Sequence, residues 1–233
     1  MTTVAILTPM PSEFAPLAKR VALARGHDGL YRGRIGDVDV VATITGIGTK
    51  LAHEATERVL ADGEAHHVVV SGIAGGLEPF AAVGDLIVPT HAHHAATGVM
   101  YESSVIGDHV ANGCVSTSDE LITDPTRFDA LKAQGVVALD METAAVAAVC
   151  AERNVPWCAF RGISDVAGDG GLDDDVLALL DSTGAIKRGP ALRYFLRHPG
   201  RIPTMMKLGR GATGAASAAA AAAVAAIAAH DFA

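Results

Sequence analysis

Residues 138–169 read ALDMETAAVAAVCAERNVPWCAFRGISDVAGD. The stretch parses as the end of an apolar strand, a helix, a tight turn and a second buried strand. Glu142 opens the helix after Asp140-Met141, and Asp165 follows the strand Trp157–Ile163. Strand, helix and strand within thirty-two residues are the unit of an α/β sheet. In such sheets ligands bind outside the carboxyl ends of the strands. Two carboxylates at that edge therefore point to chemistry as well as packing.

Working outward, the same alternation recurs. Val4–Leu7 is a short apolar strand, broken by Pro9 and Pro11, which cannot continue a ladder. Ser12 is positioned to cap a helix running to about Ala24, which puts Glu13 at a strand-to-helix junction. Leu30–Ile35 and Val38–Ile44 form a hairpin closed by Gly36-Asp37. Gly46-Ile47-Gly48 then leads into a helix over 51–60, a turn that brings backbone amides near a ligand. His67–Ser71 is an uninterrupted buried strand running into the small-residue turn Gly72-Ile73-Ala74-Gly75-Gly76, where the backbone can approach another group closely. A turn and a strand are expected over 83–89 and further strands at 113–118 and 136–139, with a helix from Asp124-Pro125 to about Ala133. The order predicts one α/β domain over 1–181, three-layered α/β/α with a mixed, largely parallel central sheet. Short helices are expected over 172–180, 190–196 and 202–208, with an Ala-rich tail over 215–229. Residues 182–233 would be a basic, helical extension packed on the domain.

The 233 residues are half hydrophobic and carry a formal charge of −8, which excludes a disordered chain and argues against a nucleic-acid binder. Aromatic residues, at 4 %, are too few for base-stacking platforms. Three cysteines without CxxC spacing read as reduced, buried thiols, and so as a cytoplasmic protein. The N-terminus shows no secretory pattern, and no membrane span is expected. His91, His93 and His94 lack nearby acidic or thiol ligands, and a strand would split them between faces, so no metal is expected. Charge is unevenly spread. Between Ser182 and His230 there is no Asp or Glu, but there are seven cations from Lys187 to Arg210. With the apolar residues between them, they make an amphipathic basic element.

Five segments together resemble one superfamily: VAILTPMPSE, ITGIGTKLA, VVVSGIAGGLEPFAAVGDLIVP, LDMETAAVAAVC and FRGISDVAGD. They are similar to the methylthioadenosine/S-adenosylhomocysteine nucleosidases, which share a fold with the purine nucleoside phosphorylases. A shorter piece, RYFLRHPGRIPTMMKLGR, looks like the C-terminal part of the hopanoid-associated phosphorylases of that superfamily, assigned to removing adenine from adenosylhopane. The resemblance implies Glu13 as the carboxylate activating water and Asp165 as the acid protonating purine N7. It implies Glu142 at the ribose hydroxyls, with Met141 packed on the sugar and Ser164 beside Asp165. Ile122 would meet the adenine through its backbone. Leu121 stands where the nucleosidases place an aromatic ring. Ile47 and Gly75, in the two glycine turns, complete the expected substrate wall. The positions matching the phosphorylases' anion ligands are Val70 and Ile73, neither able to hold phosphate.

The chemistry suits these residue types. Breaking a ribosidic C–N bond builds positive charge on the sugar and negative charge on the base. An acid at N7 neutralises the leaving base, and a carboxylate at the 2′-hydroxyl strengthens its bond as charge develops. Water is favoured as nucleophile. The alternatives are a phosphate-dependent purine nucleoside phosphorylase, in which phosphate is a co-substrate, or a methylthioadenosine/S-adenosylhomocysteine nucleosidase. A nucleoside-binding module without catalysis is the non-enzymatic reading. A dinucleotide enzyme fails on its missing fingerprint. No other cofactor is expected. The expected partners are a small nucleoside, lipid-linked on the adenosylhopane reading, a second copy in a homodimer, and the inner face of a membrane met through 186–211.

Overall fold

The computed structural model describes residues 2–168 and 173–232. Its strands are β1 (Thr3–Thr8), β2 (Ala24–Arg25), β3 (Tyr31–Ile35), β4 (Val38–Ile44), β5 (Ala65–Gly76), β6 (Leu86–Ile87), β7 (His91–His94), β8 (Met100–Glu102), β9 (Cys114–Thr117), β10 (Val136–Asp140) and β11 (Trp157–Val166). Its helices are α1 (Pro11–Val21), α2 (Thr49–Leu60), α3 (Pro125–Ala133), α4 (Thr143–Arg153), α5 (Asp174–Leu177), α6 (Arg188–Arg197) and α7 (Ile202–Ala229), with a 3-10 turn at Pro199–Arg201.

The strands form one mixed sheet in the order β2-β3-β4-β1-β5-β10-β9-β7-β8, with β11 on the other edge of β5 and β6 beyond it. Parallel pairs dominate the centre: β1 with β4 and β5, β11 with β5, and β9 with β10 and β7. Side-chain alternation along the central strands builds two cores. On one face Val4, Ile6, Val69, Cys158 and Phe160 meet α1 and the alanines of α7. On the other Ala5, Leu7, Val68, Val70, Trp157 and Ala159 meet α2 and α4. The expected three-layer α/β architecture is present.

Several elements differ from the sequence reading. The glycine-rich segment 72–76 is the second half of β5, not a turn after it. Its small residues are imposed by neighbours: a Cβ on Gly72 would lie 2.5 Å from Arg161 Nη1 and 2.6 Å from Glu13 Oε1. Helix α1 ends at Val21, where Ala22 turns left-handed, and its N-cap is Met10, not Ser12. The helix expected from Leu172 begins at Asp174 among the described residues; Leu172 itself lies outside them. The segment 202–208 and the Ala-rich tail are one continuous helix of 28 residues. By length and composition that helix could cross a membrane, against the expectation of no such stretch. In the fold its second half lies in the core, where Ala219, Ala223 and Ile227 are buried.

Candidate active site

The site follows from how β5 changes partners. Strand β1 pairs with β5 as far as Leu7 opposite Val70, and β10 joins the same edge only at Leu139 opposite Gly75. Between them a short length of β5 edge has no strand beside it. Two buried side chains take up its backbone groups. Ile73 N–H donates to Glu13 Oε1 at 2.7 Å, and Ile73 C=O accepts from Arg161 Nη1 at 3.4 Å. This gap in an open sheet is a switch point of the kind that binds ligands.

Glu13 comes from the first turn of α1, and its other oxygen accepts from Met10 N–H at 2.7 Å. Only 2 % of it is exposed. Burial pushes its carboxyl up to about 7, although Arg161 and the two backbone N–H groups pull the other way. Glu142 is the N-cap residue of α4, but its side chain turns inward. One oxygen accepts from Gly48 N–H at 3.1 Å; the other lies 3.4 Å from Arg161 Nη2. Gly48 has φ +99, a conformation glycine adopts without strain, and this aims its N–H at the carboxylate. Burial also raises the Glu142 carboxyl, again opposed by Arg161.

Asp165 reaches the site through an irregularity in β11. The register against β5 shifts between Ile163 and Asp165, and such a bulge re-aims the side chains that follow it. The Ser164 hydroxyl donates to Asp165 Oδ1. The strand continues to Val166, beyond the expected end at Ile163.

Glu13, Glu142 and Asp165 line one cavity of about 660 Å3, together with Met141, Ser164, Leu121, Ile122, Ile47 and Gly75. Every substrate-site residue expected from sequence therefore borders the same space. The cavity wall also includes Met205, Leu208, Gly209, Ala212 and Thr213, a three-and-four spacing that marks one face of α7, with Val176, Leu180 and Ile186 from the segment before it. No Lys, Arg or His is among the lining residues described.

Sequence reading missed the group that organises the acids. Arg161 is fully buried, pairs with Asp140 Oδ2 at 2.6 Å, and donates to Thr143 Oγ1 at 2.9 Å. Asp140 is fixed in turn by the Thr117 hydroxyl at 2.6 Å and by the Thr143 hydroxyl and N–H. The signal was available: an arginine inside WCAFRGIS has to be paired to be buried. Arg161 does not line the cavity, so it is held by carboxylates rather than offered to a ligand. The three histidines lie on or beside β7 with Ala92 buried between them. No group of metal-ligating side chains occurs among the described residues.

The arrangement gathers three carboxyl groups, Glu13, Glu142 and Asp165, at one cavity that α7 lines with apolar side chains.

The family model "Phosphorylase superfamily" matches residues 3–104 and 93–189. The 5′-methylthioadenosine/S-adenosylhomocysteine nucleosidase of Anoxybacillus flavithermus is 31 % identical over 199 residues, covering 71 % of this chain and 86 % of the relative. The fold is similar to that of the Streptococcus pneumoniae MTA/SAH nucleosidase in complex with 8-aminoadenine, with TM-score 0.74 and 18 % identity over 98 % of this chain and 100 % of that one. It is also similar to futalosine hydrolase of Helicobacter pylori, with TM-score 0.72 and 17 % identity over 97 % of each chain.

Proposed function

The chain belongs to the phosphorylase superfamily, and from that premise we propose that it is a purine nucleosidase that hydrolyses the N-ribosidic bond of an adenosine-type nucleoside and releases adenine. The observation that carries this reading is the convergence of Glu13, Glu142 and Asp165 on one cavity. In the proposed reaction the C1′–N9 bond breaks with its electron pair leaving on the base. Asp165 gives N7 a proton, help worth roughly 10²–10⁴-fold in rate. Water attacks C1′ and passes its proton to Glu13. Glu142 accepts hydrogen bonds from the ribose hydroxyls, which strengthen as positive charge grows on the sugar. Arg161 keeps the neighbouring acids in place from behind.

Two features support water over phosphate. The lining residues described include no cation to hold a phosphate dianion, and acids that line the cavity, among them Glu13, Asp140, Glu142 and Asp165, offer it no favourable charge. The same lack of cations gives the carboxylate of S-adenosylhomocysteine no partner, and the α7 face gives an apolar 5′ substituent a wall. The finer reading is therefore a lipid-linked nucleoside, adenosylhopane, rather than the substrates in the relatives' names. A lipid-linked nucleoside resides in a bilayer, so on this reading the enzyme works at the cytoplasmic face of a membrane.

The test is adenine release from adenosine, methylthioadenosine and adenosine carrying a 5′ alkyl or polycyclic group, with and without phosphate. The reading expects release without phosphate and the highest kcat/KM for the apolar 5′ derivative. Phosphate-dependent release would replace hydrolysis by phosphorolysis. A preference for methylthioadenosine would overturn the lipid-linked substrate, and no adenine from any of them would end the enzymatic reading.

A further inference from the structure

We propose that residues 186–210 form a docking surface for an anionic lipid bilayer, placed so that the active-site cavity opens where the surface meets the membrane. The inference rests on the apolar-substrate reading for its purpose, but its observations are separate.

Helix α6 spans ten residues and buries only Ala191. Leu192 is 63 % exposed and Leu196 74 %. The first half of α7 buries nothing before Ala215, and leaves Ile202 and Met206 exposed. Exposed Ile186 completes the group. Half of the exposed large hydrophobic residues described thus fall within about twenty positions. An ordinary helix pair docked on a core would turn these side chains inward.

The charge around them is of one sign. Lys187, Arg188, Arg193, Arg197, Lys207 and Arg210 are exposed, and no acidic residue occurs between Ser182 and His230. Among the described residues Arg201 pairs with Asp173, whereas Arg188, Arg193, Arg197, Lys207 and Arg210 have no carboxylate partner. Apolar side chains ringed by unpaired cations suit an interface of anionic headgroups over acyl chains, where each Lys or Arg adds to binding and long side chains reach the headgroups. A second copy fits poorly, because a two-fold contact would set the same cations against each other.

Continuity with the site gives the surface its role. Ile186 and Met205 line the cavity, and they adjoin the exposed Lys187 and Met206. From there Leu208, Gly209 and Ala212 extend the apolar wall along α7. A 5′ group lifted from a bilayer at this mouth would stay against apolar side chains while the nucleoside reached the acids.

The experiment is co-sedimentation of the full chain with phosphatidylcholine vesicles, with and without phosphatidylglycerol, at low and high salt. The test variant combines Leu192→Ser, Arg193→Glu, Leu196→Ser and Arg197→Glu, none of which lines the cavity; Arg197→Glu alone serves if the combination does not fold. The wild-type chain is expected to bind the anionic vesicles, less so at high salt. The combined variant should lose binding on the order of tenfold or more, while releasing adenine from soluble methylthioadenosine at the unchanged rate. Equal sedimentation with and without phosphatidylglycerol, or a variant that binds like wild type, would overturn docking and leave the nucleosidase reading intact. So would a mass in solution that rises with concentration and falls in the variant without vesicle binding, since the face would then join two copies. Vesicle binding without adenine release from any nucleoside would remove the enzymatic reading and leave the docking surface standing.

Discussion

In the proposed reaction Asp165 and Glu13 carry opposite duties, and each can be tested alone. Asp165→Asn keeps size and hydrogen bonding but has no acidic proton to give. Adenine release should fall roughly 10²–10⁴-fold, while the nucleoside Kd by calorimetry stays close to wild type. Retained turnover would remove Asp165 from its role. Glu13 must be ionised to take a proton from water. Its carboxyl sits at about 7 in the fold rather than 4.5 because burial disfavours the charge. The kcat/KM for a soluble nucleoside should therefore rise with pH through about 7, and a limb complete near the ordinary carboxylate range would contradict this. The same shift acts on stability. A folded-state pKa raised above the unfolded one means folding takes up a proton. The stabilisation from neutral Glu13 is full below about 4.5 and is lost as pH rises through about 7. Glu13→Gln should abolish turnover and flatten that part of the stability profile. Arg161 is the remaining test at this scale. Arg161→Met would leave Asp140 and Glu142 buried without their cation, at a cost of about 3–5 kcal/mol, measurable by urea unfolding. The acids were legible in the sequence because each sits at a strand or helix end. Arg161 is marked only indirectly: it lies mid-strand, away from the strand and helix ends where ligand groups gather, and its one signal is that a cation in a buried apolar run needs carboxylate partners, which lie elsewhere in the sequence.

At the level of elements, the site depends on two close backbone approaches. Helix α7 crosses β11 at Gly162, where a Cβ would come within 2.3 Å of Ala215 O, and at Gly211, where one would come within 2.4 Å of Ser164 O. Both obstacles are backbone atoms, so neither can be relieved by a rotamer change. Gly162→Ala should push α7 from the strand, lower stability by roughly 1–3 kcal/mol, and disturb Ser164 and the neighbouring Asp165. Thermal unfolding and adenine release would both report it; an unchanged melt would show that the contact can relax. The alternating strands, the hairpin and the helix entries of α3 and α4 were readable because period-two runs and Pro or acidic starts mark them. The second half of β5 was not. Its glycines read as a turn, whereas Gly72 is small because Arg161 and Glu13 occupy the space a side chain would need. Small residues report how close a neighbour comes, but not whether the chain turns.

For the molecule as a whole, composition and packing give the C-terminal fifty residues different places in the fold. Composition suggests an attachment, because a run of alanines shows no hydrophobic periodicity from which a buried face can be read. Packing indicates a layer. Val4, Ile6, Val69 and Phe160 share one core with Ala219, Ala223 and Ile227 of α7. Large apolar side chains of this kind contribute about 1.5–3 kcal/mol each by leaving water. Uncovering four of them would remove an amount comparable to the ~5–15 kcal/mol net stability of a typical domain. The first half of α7 behaves differently, since it buries no side chain before Ala215. A chain ending at Gly189 should therefore fail to give a cooperative melt and should expose apolar surface to a hydrophobic dye. Charge and polarity changes confined to Leu192, Arg193, Leu196 and Arg197 should leave the melting transition within a few degrees of wild type, as surface substitutions within about 0.5 kcal/mol do. Calorimetry of the two proteins side by side decides the matter. A sharp transition and retained adenine release in the truncated chain would mean that α1 and the sheet close the core without α7. Loss of the transition in the surface variant would mean that α6, for all its exposure, is holding the layer in place.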